Sequence, residues 1–79
     1  MDMLNLEFTA GKDLKISIIT ILDTSGKQHL SAFLYDKNNM IHTLEHVRSI
    51  TEAILLLTEY MLHNLNPAEY GEITVRNTV

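Results

Sequence analysis

Through its first half the chain alternates apolar and polar positions with period two; after about residue 42 the period changes. Leu4, Leu6 and Phe8 alternate with Asn5, Glu7 and Thr9, the pattern of a half-buried strand. Residues 10–13 (AGKD) turn the chain, with Gly11 free to take a positive φ. Residues 14–23, LKISIITILD, form the strongest predicted strand: β-branched, uninterrupted and bounded by turn residues. Leu14, Ile16, Ile18 and Leu22 share one of its faces, while Ile19 and Ile21 occupy the other, where a one-sided sheet is normally polar. Residues 24–27 (TSGK) read as a hairpin connection. A third strand over 28–35 follows, in which Leu30, Ala32 and Leu34 alternate with His29, Ser31, Phe33 and Tyr35. Residues 36–39 (DKNN) are a second turn.

From 43 to 65 the spacing predicts one long helix. At 100° per residue, Val47, Ile50, Ile54, Leu57, Met61 and Leu65 fall on one side, and Glu45, Arg48, Glu52, Glu59 and His63 on the other. Thr43 is the expected N-cap, with Glu45 favoured by the helix dipole; Asn64, Asn66 and Pro67 are the stop. A last strand is expected over 72–79, with Ile73, Val75 and Val79 inward. The order is βββαβ. It implies a single α+β domain over residues 1–79, with a four-stranded, mostly antiparallel sheet and one long helix packed on one face. The strand–helix–strand crossover would supply one parallel pairing.

Seventy-nine residues leave room for one domain with a thin margin of buried surface, and no cysteine is present to staple it. The MDMLNLEF start has no basic region, so no secretory signal is expected, and a cytoplasmic location follows. Ala53 to Leu57 is the longest purely apolar run, far short of the ~20 residues that cross a bilayer, so no membrane partner is expected. Net charge is −4: residues 1–40 carry five acids against four lysines, and residues 41–79 five acids against two arginines. Six cations scattered along the chain make no basic stripe, which argues against direct nucleic-acid binding.

Candidate chemistry is sparse. Residues 42–46 (HTLEH) fit the H-x-x-E-H pattern, in which two His at helical spacing grip a zinc ion. The motif straddles the expected helix start and no third ligand converges on it, so two partly exposed histidines are expected, with no metal and no cofactor. Ser25 is followed by Gly26, but DTSGKQ matches neither a nucleophile elbow nor a phosphate loop. Asp13, Asp23 and Asp36 stand at strand or turn ends, where Asp bonds locally. No catalytic residue is expected, and the chain is read as a non-enzyme.

Two surfaces are candidates for a protein partner. Glu45, Glu52 and Glu59 recur every seven residues and would form an acidic rail with about 10.5 Å between members, facing a basic partner, with Leu56 exposed at its border. The leftover sheet face would carry Met3, Ile19, Ile21, Phe33 and Tyr35, an apolar area suited to a partner or a homodimer. The βββαβ order resembles that of the HicB-type antitoxin domain and of several small phage-encoded inhibitors over most of the chain, although a Pro- and Gly-bearing loop between the strands is missing. That resemblance implies a phage- or plasmid-type inhibitor or antitoxin-like protein docking on a host complex. The alternative from another class is a small-ligand or metal-binding regulatory domain using His42, His46 and His29.

Overall fold

The computed structural model describes residues 3–77. Five strands and two helices follow in the order β1 (Asn5–Ala10), β2 (Leu14–Leu22), β3 (Gln28–Asp36), β4 (Asn39–Val47), α1 (Ile50–Asn64), α2 (Pro67–Tyr70) and β5 (Val75–Asn77). They build an α+β domain with a sheet in the order β4-β3-β2-β1-β5, every pairing antiparallel.

Each hairpin follows from its turn residues. Gly11 and Asp13 both take positive φ between β1 and β2. Lys37 and Asn38 do so between β3 and β4, at φ 50° and 73°, as a two-residue turn with both central residues left-handed requires. The longer β2–β3 connection is organised by Asp23. Its Oδ1 accepts from the amides of Ser25 and Lys27, each at 2.9 Å, and from the Ser25 hydroxyl at 2.7 Å. The Ser25 hydroxyl, followed by the Lys27 amide, holds the Asp23 carboxyl below its ordinary range.

Register places the even-numbered residues of β1, β2 and β3 on one face. Phe8, Ala10, Leu14, Ile16, Ile18, Ala32 and Leu34 are buried there against Ala53, Leu57 and Met61 of α1. Burying Leu57 or Met61 completely stabilises the fold by about 1.5–3 kcal/mol each. The expected inward positions Ile50, Ile54 and Leu65 pack on the same core, as do Ile73 and Val75. Leu22, expected inward, is 57% exposed at the end of its strand. Val79 lies outside the described residues.

The long helix is shorter than the spacing predicts, and a fourth long strand precedes it. Residues 43–47 belong to β4, so Thr43 is no helix cap. Ser49 caps α1 instead: its Oγ accepts from the Glu52 amide at 3.0 Å, while Glu52 Oε1 accepts from the Arg48 amide at 3.2 Å. The sequence Ser49-Ile50-Thr51-Glu52 has capping-box spacing, with the carboxylate reaching the Arg48 amide one residue before the cap. Val47 is buried as expected, but from the end of a strand. The added strand also reverses the parity of the chain path. With four strands before the helix, the chain leaves α1 at the other end of the sheet, and β5 lies antiparallel to β1. Among the described residues the expected parallel pairing is absent for that reason.

After α1, Asn66 caps the short α2 through its Oδ1, with Pro67 in the first turn. The Tyr70 hydroxyl then donates to Asp36 Oδ2 at 2.6 Å. That bond, together with desolvation, pushes the Tyr70 phenol up to about 12.

Candidate interaction surface

The odd-numbered residues of β1, β2 and β3 form the sheet face away from α1. Cross-strand register joins Ile19 to Ser31, Ile21 to His29, Ser17 to Phe33 and Lys15 to Tyr35. Thr43 and Met40 of β4 continue the face beside Phe33 and Tyr35. The four apolar residues expected here, Ile19, Ile21, Phe33 and Tyr35, therefore come together on adjacent strands. Each is half-buried by its neighbours alone, and Ser31 between them is 1% exposed. Met3 is 57% exposed, its sulfur accepting from Gln28 Nε2 at 3.6 Å. Strands of 6, 9, 9, 9 and 3 residues present a face of roughly 550–600 Å² at ~3.3 Å rise and ~4.8 Å spacing.

The acidic rail does not exist as one row. Glu45 is on β4, beside a bulge. Glu52 is turned back to the Arg48 amide at the helix start. Glu59 alone of the three lies exposed on the body of α1. The heptad spacing had meaning only on a helix that included residue 45. The outer surface of α1 is instead notable for leucine: Leu55, Leu56 and Leu62 are 56%, 39% and 58% exposed. Leu56 is where it was expected. Leu55 and Leu62, seven residues apart, project to one side with it, and their apolar character against an otherwise polar row was the signal for them.

The histidines are parted by the same correction. On a strand, His42 pairs with Leu34 and so faces α1, where its ring stacks on Tyr60 with centroids 3.8 Å apart. His46 sits in the bulge with φ 58° and stacks on His29 at 4.0 Å. His29 shares the open face with Ile21. His42 and His46 thus serve different aromatic pairs. The His29 and His46 rings lie within 27° of parallel, a geometry in which their in-plane lone pairs do not converge on one cation. Among the described residues, no group of three or more potential ligands is placed to hold a metal ion. Asp13, Asp23 and Asp36 are each engaged at a turn or strand end, Asp23 and Asp36 through their carboxylates. No helix is long and apolar enough to cross a membrane among the described residues.

Compared with known proteins, the chain matches no family model, no curated protein and no solved structure.

Proposed function

We propose that the protein is a non-enzymatic interaction module, a small inhibitor or antitoxin-like protein that docks on another protein through the open face of its sheet. The observation that carries this reading is the apolar group Ile19, Ile21 and Phe33, partly exposed on the sheet face away from α1. A partner laid over the face buries about twice its area, near the ~1,200 Å² lower end of specific interfaces. Apolar side chains set on a rigid sheet lose little conformational freedom on binding, which favours docking there over a loop. Leu55, Leu56 and Leu62 offer a second, narrower apolar surface on α1.

The test is to compare Ile21→Asp with the double variant Leu55→Ser/Leu62→Ser. Each is measured by sedimentation velocity and by capture of bound proteins from host lysate. Loss of a captured protein, or of a dimer, in Ile21→Asp alone supports docking through the sheet. Loss only in the leucine variant moves the interface to α1, and no change in either variant removes the proposal. Retention of the amide spectrum separates these outcomes from unfolding. The acidic-rail version is checked by Glu52→Lys/Glu59→Lys, which is expected to leave capture intact.

A further inference from the structure

Strand pairing collects cations that the sequence leaves apart. Of the six Lys and Arg residues, Lys12, Lys15, Lys37 and Arg76 gather at one end of the sheet, around the β1–β2 and β3–β4 turns. Three of them line one open groove of about 480 Å³ with Thr9, Gly11, Asp13, Leu14 and Asn38. Arg76 and Gly11 also line the adjoining groove of about 520 Å³, together with Lys12 and Thr74. The register explains why. Arg76 pairs with Thr9, Thr9 with Lys15 and Lys15 with Tyr35, so the four residues form one row across β5, β1, β2 and β3 on the open face. At ~4.8 Å per strand, the Lys15 and Arg76 backbones stand ~10 Å apart with Thr9 between them, a gap that two long cationic side chains close from either side. Lys37 arrives from the neighbouring turn, whose position is tied by its amide donating to the Asp13 carbonyl at 3.1 Å.

We infer that this end of the open face binds a compact phosphate-bearing ligand, seated over Thr9 between Lys15 and Arg76 and approached by Lys37. Asp13 and Glu72 line the two grooves and Glu7 stands beside Lys15 and Asn38, so four cations against three carboxylates leave a positive balance of +1, which favours an anion. The Thr9 hydroxyl and the Asn38 amide add uncharged donors. Confinement of the charge to one end of the sheet, in a groove the size of a small-molecule site, favours a small ligand over a nucleic-acid strand. The site adjoins the apolar group on the same face, so a partner covering the whole face would cover it too, and it places a binding function where the scattered sequence positions of the lysines suggested none.

The experiment titrates the isotope-labelled full chain with inorganic pyrophosphate at low ionic strength, following backbone amide signals. Saturable one-to-one shifts centred on Thr9, Lys15, Asn38 and Arg76 are expected. Lys15→Gln/Arg76→Gln removes two exposed side chains and is expected to weaken binding about tenfold or more. Lys27→Gln/Arg48→Gln makes the same charge change at the far end and is expected to alter it less than about twofold. Non-saturating shifts matched by sodium chloride of equal ionic strength would overturn the site, as would equal weakening by both double variants. Tighter binding of a short single-stranded oligonucleotide, lost equally in both, would overturn the small-ligand assignment.

Discussion

Tyr70 and Asp36, 34 residues apart, are joined by a 2.6 Å hydrogen bond that fastens α2 to the end of β3. The other carboxylate oxygen of Asp36 is buried without a partner among the described residues, so Tyr70 is the side chain that satisfies this acid. Tyr70→Phe is therefore expected to lower the denaturation midpoint. The phenol binds its proton more tightly folded than unfolded. Its contribution is complete below the ordinary value of 10 and is lost as pH rises toward about 12. Ultraviolet titration is expected to show a phenolate step near pH 12 that disappears in Tyr70→Phe, with the alkaline fall in stability flattened in the same variant.

Gly11 is expected to be intolerant of any side chain. At φ 52°, an added Cβ would approach the Tyr70 carbonyl oxygen to 2.8 Å, and the Lys12 amide donates to that same oxygen. Gly11→Ala incurs about 1–2 kcal/mol for left-handed backbone and a clash with main chain in addition. Gly26→Ala, at φ 87° in open space, incurs only the first. Urea denaturation of the two variants measures the difference.

Where α1 begins is open to a direct check. Ser49→Ala is expected to cost about 1 kcal/mol through loss of the cap. Thr43→Ala, in mid-strand with its hydroxyl on the Met40 sulfur at 3.4 Å, is expected to cost less and to leave helical circular dichroism unchanged. A larger loss of helicity from Thr43→Ala would contradict the helix start at Ile50.

Acid sensitivity of the β2–β3 hairpin rests on Asp23. Its carboxyl is lowered by the Ser25 hydroxyl and the Lys27 amide, so its contribution is complete above the ordinary value of 3.8 and is lost as pH falls through the lowered one. Asp23→Ala is expected to be less stable than the parent chain at neutral pH, the gap closing in strong acid. Thermal denaturation across that range reads it.

Much of the fold was legible in local pattern. The first three strands, their turns and the two faces of β2 follow from alternation alone, because in a sheet that is half covered the period of two is enforced by burial. Residues 39–47 were misread because Val47, Ile50 and Ile54 sit at helical spacing across a strand–helix junction, and bulges in β4 break the alternation that would have marked a strand. The stronger signal was Ser49 followed three residues later by Glu52. The open-face residues Ile19, Ile21, Phe33 and Tyr35 were found because they share strands whose register the hairpins determine. The basic row was not, since Arg76 reaches Lys15 only through β5 pairing beside β1, a contact spanning more than sixty residues.

The two slips of register along β4, between Leu30 and Ala32 and between Leu34 and Tyr35 on the facing strand, break its ladder opposite β3 into runs of three residues, His42 to Leu44, and two, Asn39 and Met40, with Val47 apart. A stretch of three residues is a poor template for a strand from another molecule, and each bulge twists the rim away from a straight neighbour. Growth by edge addition, copy upon copy into an open-ended ribbon, is thereby discouraged on the long side of the sheet. Under the docking proposed above, a partner would meet the sheet face away from α1, where covering the surface once completes it and the stoichiometry would be finite.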